Sequence, residues 1–92
     1  MSKKRLYLKI FGEVQSVSFR YYAEVVAKDL GLAGWVRNVP DGAVECEVEG
    51  EKRSLNKFLE WVKQGPRWAR VEKVEEKWKE FKDEFDKFEI RF

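Results

Sequence analysis

The sequence predicts an α+β sandwich, an antiparallel sheet covered on one face by two helices. Three observations carry that expectation. Apolar residues alternate at period two in several separate segments, recur at helical spacing in two others, and the segments follow one another in the order β-α-β-β-α-β. Each strand–helix–strand half is a split β-α-β unit, and right-handed crossovers place the first strand centrally, beside the last regular one.

Residues 5–11 alternate and read as the first strand. After a turn, Phe19, Tyr22, Ala23, Val26, Ala27 and Leu30 recur at helical spacing, and Gly31 offers a left-handed stop. Residues 33–39 form a second strand carrying Trp35, and Pro40-Asp41-Gly42 is a hairpin turn, with Asp41 supporting it. In the third strand Val44, Cys46 and Val48 point inward, while Glu45, Glu47 and Glu49 are expected to form a solvated face. Leu55, Phe58, Leu59 and Val62 make the apolar stripe of a second helix, closed by Gly65-Pro66. Residues 71–78 read as a fourth strand, 79–84 as a charged connection, and Phe88, Ile90 and Phe92 as a final short strand. The arrangement is ferredoxin-like, a single domain spanning 1–92. Many binding modules share it, so function has to come from a site.

Composition narrows that function. The 92 residues are 43% apolar, enough to fill a two-layer core. Nineteen basic residues face 17 acidic ones without forming a basic stripe, so no nucleic-acid partner is expected. No long apolar run suggests a membrane span, and Met1-Ser2-Lys3-Lys4-Arg5 lacks the apolar core of a secretion signal. The single cysteine, Cys46, is expected to be a buried small hydrophobe and fits a reducing, cytoplasmic setting. The charged fraction of 39%, with few Asn and Gln, leans toward a thermophilic composition. Trp35, Trp61, Trp68 and Trp78 are expected in or at the edge of the core. With no histidine, neither a Ser-His pair nor a His-based metal site can exist, and the chemistry must run on Arg, Asn, carboxylates and backbone.

The most informative segment is Gly12-Glu13-Val14-Gln15-Ser16-Val17-Ser18-Phe19-Arg20, a strand-to-helix turn with an arginine just inside the helix. Backbone N–H groups at a helix start lack internal partners and carry the positive end of the macrodipole. Arg20 adds a planar guanidinium suited to two oxygens of one anion. The turn is a candidate socket for a phosphate or carboxylate, and Asn38, near the end of the second strand, supplies a carboxamide able to donate and accept.

Residues 12–20 resemble the first signature of the acylphosphatase family, Gly-x-Val-Gln-Gly-Val-x-Phe-Arg. Gly34, Trp35, Val36, Arg37, Asn38, Gly42, Val44 and Gly50 fall in register with its second. The resemblance implies hydrolysis of the carboxyl-phosphate bond of a small acyl phosphate, giving a carboxylate and inorganic phosphate, with no cofactor and no metal. It implies that Arg20 and a phosphate-binding loop of Gln15, Ser16, Val17, Ser18, Phe19 and Arg20 hold the phosphate, while Asn38 positions the attacking water. A monomer is expected. The alternative is a noncatalytic anion-binding regulatory module of the same fold. One position departs from the family pattern: Ser16 stands where the signature has glycine. If that position needs a positive φ, serine costs on the order of 1 kcal/mol or tilts the loop. Alternatively, the hydroxyls of Ser16 and Ser18 donate to phosphate oxygens.

Overall fold

The computed structural model describes residues 2–16 and 18–92. The elements run β1 (Lys3–Glu13), α1 (Phe19–Asp29), β2 (Ala33–Asn38), β3 (Val44–Glu51), α2 (Lys52–Gln64), β4 (Arg70–Glu80) and β5 (Phe88–Arg91). The sheet order is β4-β1-β3-β2-β5, which puts β1 between β3 and β4 as the crossover rule requires. The two helices supply Phe19, Ala23, Ala27, Leu55, Phe58, Leu59 and Val62 to a core shared with Leu6, Leu8, Ile10, Val36, Val44, Cys46, Val48 and Phe88 of the sheet. These are the apolar positions that the two periodicities select.

Local chemistry explains the boundaries. At the end of α1 the Gly31 N–H donates to the Lys28 carbonyl (3.0 Å) and the Leu32 N–H to that of Ala27 (2.9 Å). This paired reversal needs one left-handed residue, and Gly31 has φ 71°. Between β2 and β3 the Val39 N–H donates to Ala43 O (2.8 Å), and the Ala43 N–H donates to Asp41 Oδ1 (3.0 Å). Asp41 therefore does support the turn. Near the end of β1 the register against β4 slips between Phe11 and Gly12. A Cβ at Gly12 would lie 2.1 Å from the Arg70 carbonyl oxygen, so only glycine lets the strands stay paired there as the chain enters the functional loop.

Three expectations need correction. The sheet is mixed, because β5 runs parallel to β2, with Val36 opposite Ile90 and Arg37 opposite Arg91. The charged connection begins later than expected, since β4 continues to Glu80. Most consequentially, Glu47 and Glu49 are not solvated; their exposures are 6% and 2%. The cause is topological. With β4 at one edge and β5 at the other, residues 81–87 must cross the helix-free face of the sheet. The Lys82 and Glu84 N–H groups donate to the Glu49 carboxylate at 2.6 and 3.0 Å. Arg5 Nε donates to Glu47 (2.9 Å), Lys79 Nζ lies 3.3 Å from the same carboxylate, and the Phe85 ring covers the Arg5 guanidinium at 4.8 Å. Arg5 also pairs with Glu84. The buried carboxylates are thus matched by cations and N–H donors.

The tryptophans also divide. Trp61 packs against Phe19 and Phe58, with ring centroids 5.4 and 6.2 Å apart. Trp35 instead lies between the guanidinium groups of Arg37 and Arg91, at 5.1 and 5.0 Å, while Trp68 is 73% exposed. Cys46 is buried as expected, and burial pushes its thiol pKa well up. None of the helices among the described residues is long and apolar enough to cross a membrane.

Two predictions follow from the charged face. Glu49→Ala strands two backbone N–H groups and part of Arg5, and is expected to cost about 3 kcal/mol in urea unfolding; a loss within about 0.5 kcal/mol would mean the side chain is effectively solvated. The second concerns acid. Lys9 and then the Ala43 N–H hold the Asp41 carboxyl below its usual range. Burial pushes the Glu45 carboxyl upward, but the Tyr7 hydroxyl and Arg37 outweigh it and its pKa is lowered. Lowered carboxyl pKa values add stability that is complete above the unfolded value of about 4 and disappears as pH falls through the folded values. Urea midpoints should therefore hold between about pH 5 and 7 and fall below about pH 4. Glu45→Gln should make that fall shallower; an unaltered acid profile would show that Glu45 contributes nothing to it.

Candidate active site

The loop after β1 is tied down from outside. Gln15 Nε2 donates to the Val39 carbonyl (2.7 Å) and to the Ala43 carbonyl (2.8 Å), fastening the loop to the β2–β3 hairpin. Its side chain is thus committed to the hairpin. Two hydrogen bonds from one carboxamide fix the distance between the segment carrying Arg20 and the strand carrying Asn38.

Beyond Gln15 the backbone turns sharply. Ser16 and Ser18 both have φ 62°, in the left-handed region that residues with a Cβ occupy at a cost. The condition attached to Ser16 is therefore met: its position does require a positive φ. Ser18 is the residue capping α1, yet its side chain makes no capping hydrogen bond. The first-turn N–H groups of α1 have no intrahelical partner, so they remain available at the helix start. Val17, also a candidate for the loop, lies outside the described residues.

Arg20 and Asn38 meet in one cleft of about 390 Å³, lined by Val14, Ser16, Ser18, Phe19, Arg20, Tyr21, Asn38, Ile90 and Phe92. Arg20 donates from one terminal nitrogen to the Arg91 carbonyl at 3.3 Å, and the Phe92 ring lies 4.8 Å from its guanidinium carbon. Among the described residues no carboxylate pairs with it, so its charge is open to an anion. Asn38 sits at the end of β2, paired with Val44. Its Oδ1 is buried and has no hydrogen-bond partner among the described residues. A buried amide oxygen left unsatisfied costs free energy, and this one belongs to a residue that lines the cleft. No group of three or more His, Cys, Asp or Glu among the described residues is arranged to hold a metal ion.

The structure thus gathers Ser16, Ser18, Phe19, Arg20 and Asn38 around one space and directs the Gln15 side chain away to the hairpin. Sequence reasoning missed Val14, Tyr21, Ile90 and Phe92 as lining residues. Tyr21 is adjacent to Arg20 and could have been flagged. Ile90 and Phe92 could not, because they reach the cleft only through the parallel pairing of β5 with β2.

Comparison with known proteins places the whole chain in a family. The acylphosphatase family model matches residues 6–90. The acylphosphatase of Syntrophobacter fumaroxidans is 42% identical over 92 residues, which is all of this chain and 95% of that one. That of Acaryochloris marina is 51% identical over 81 residues, 88% of this chain and 86% of its own. The crystal structure of acylphosphatase from Bacillus subtilis superposes with a TM-score of 0.93 at 32% identity, covering 97% of this chain and 99% of that one. The family model, the relatives and the superposed structure agree, and the chain belongs to the acylphosphatase family, whose members are acyl phosphate hydrolases.

Proposed function

We propose that the cleft hydrolyses the carboxyl-phosphate bond of acyl phosphates without a metal ion, with Arg20 and the N–H groups at the start of α1 holding the phosphate and Asn38 positioning the water. The observation that carries this reading is that Asn38, whose buried Oδ1 has no hydrogen-bond partner among the described residues, lines the same cleft as Arg20, which pairs with no carboxylate among them. An arginine offers five donors, and the Arg91 carbonyl engages only one nitrogen, so the rest of the fork is open to phosphate oxygens. Ser16 and Ser18 both have left-handed φ, the kind of backbone from which anion-binding concavities of N–H groups are built. The dipole of α1 adds positive potential at the same end.

The chemistry suits these parts. Water attacks phosphorus in line as the carboxylate leaves, so the P–O bond to the acyl group breaks while a new P–O bond forms. Phosphoryl transfer of this kind proceeds through a loose transition state and needs mainly positioning and charge stabilisation. The leaving carboxylate has a conjugate acid of pKa roughly 4–5, so it departs without a general acid. Asn38 Oδ1 accepts one water hydrogen and orients the oxygen lone pair toward phosphorus. Arg20 and the amides absorb charge on the equatorial oxygens. The proton released by the water passes to phosphate or solvent. A phosphate monoester, with a far more basic leaving group, is a poor substrate for the same groups.

Turnover of benzoyl phosphate, followed by absorbance with and without EDTA, tests the whole reading. Activity should be insensitive to the chelator, and a wild-type rate no higher than that of Arg20→Ala would reject it. Arg20→Ala should lose at least about 100-fold in kcat/KM and be inhibited far more weakly by inorganic phosphate. Asn38→Ala should lose about 100-fold in kcat while inhibition by phosphate persists; the opposite pattern would exchange the two roles. Ser16→Gly removes the Cβ from a left-handed position and should match or exceed the wild-type rate, with stability up to about 1 kcal/mol higher. A tenfold drop in kcat/KM would show instead that the Ser16 hydroxyl binds the phosphate.

A further inference from the structure

The lining of the cleft is graded by depth. Val14 and Phe19 belong to the core, each 1% exposed, and Ile90 is partly buried. Tyr21 and Phe92 stand at the mouth, 57% and 100% exposed. Large apolar side chains left open to water at the rim of a cleft are surface that a ligand can cover. The Phe92 ring meets the guanidinium of Arg20. A ring against the face of a guanidinium leaves the edge donors free, so an anion held at that edge has an aromatic surface directly beside it.

In-line attack then sets a direction. Water and the leaving acyl oxygen lie on opposite sides of phosphorus. With the water at Asn38, a partly buried residue with a buried Oδ1, the acyl group leads away from it, toward the mouth. We propose that Tyr21, Ile90 and Phe92 form an acyl-group subsite that favours acyl phosphates carrying a bulky apolar acyl group, aromatic or long aliphatic, over acetyl-sized ones. The inference rests on the placement of phosphate at Arg20 and of water at Asn38 proposed above. No charged side chain among the described residues lines this end of the cleft besides Arg20 itself, so a second carboxylate on the acyl group would find no cationic partner in the subsite.

Steady-state kinetics with acetyl phosphate and benzoyl phosphate on four proteins decides the matter: the wild type, Phe92→Ala, Phe92→Leu and Tyr21→Ala. The quantity read is the benzoyl-to-acetyl ratio of kcat/KM, because the intrinsic reactivities of the two substrates cancel when a variant is compared with the wild type. Phe92→Ala should lower the ratio about 10-fold, mostly through a higher KM for benzoyl phosphate. Tyr21→Ala should lower it by about 3-fold. Phe92→Leu keeps apolar bulk without a π face and should hold the ratio within about twofold of the wild type. Equal losses on both substrates in Phe92→Ala and Phe92→Leu, with weaker inhibition by inorganic phosphate, would overturn the inference, since the ring would then act by holding Arg20. An unchanged ratio in both alanine variants would overturn it too. Wild-type turnover of neither substrate would instead refute the hydrolytic assignment on which the subsite depends.

Discussion

When β4 ends at one edge of the sheet and β5 has to pair with β2 at the other, the chain between them must cross the face that carries no helices. Much of what distinguishes this molecule follows from that crossing. Residues 81–87 lay backbone N–H groups and two phenylalanines over β1 and β3, and the glutamates beneath lose contact with water. Burying carboxylates is unfavourable unless each is paired and hydrogen-bonded, and here Arg5, Lys79 and the Lys82 and Glu84 amides supply the partners. The same crossing delivers β5 beside β2, where its last carbonyl steadies Arg20 and the ring of Phe92, just after the strand, lies at the mouth of the cleft.

The cleft itself is assembled by a different device. A loop with two left-handed serines is not a stiff object, and a phosphate socket tolerates little misplacement. Gln15 supplies the rigidity by bonding two carbonyls of the hairpin that follows β2. In consequence the two halves of the candidate chemistry, Arg20 on a helix and Asn38 on a strand, are tied to one another by a carboxamide between them. The loop is held by its flank, through the Gln15 side chain.

Residues of similar type are thus used for opposite ends. Arg5 is saturated by three carboxylates and serves cohesion, whereas Arg20 has a carbonyl and an aromatic ring for neighbours and keeps its charge available. Gln15 satisfies two backbone acceptors, while the Asn38 amide oxygen is buried with no partner among the described residues. Among the described residues, the arginine without a carboxylate and the amide oxygen without a partner both belong to residues that line one cleft, where the proposed substrate would lie.

The sequence by itself determined the element order, the core faces and the two signature segments. Each rests on short-range physics: the 3.6 and 2.0 periodicities select Phe58 and Val62, or Cys46 and Val48, while Gly12 marks backbone where a Cβ would clash and Gly31 a left-handed turn that glycine enters without strain. Ser16 was legible as the exposed point of the socket because its difficulty lies in its own φ. The fate of the glutamates on β3 was not legible, because an alternating strand looks the same whether its polar face meets water or a crossing segment. Nor could the sequence reveal Ile90 and Phe92 as neighbours of Arg20, or Gln15 as the tie to the hairpin. Those depend on which edge of the sheet receives β5 and on contacts between residues 24 to 71 positions apart, distances over which only the packed fold decides who meets whom.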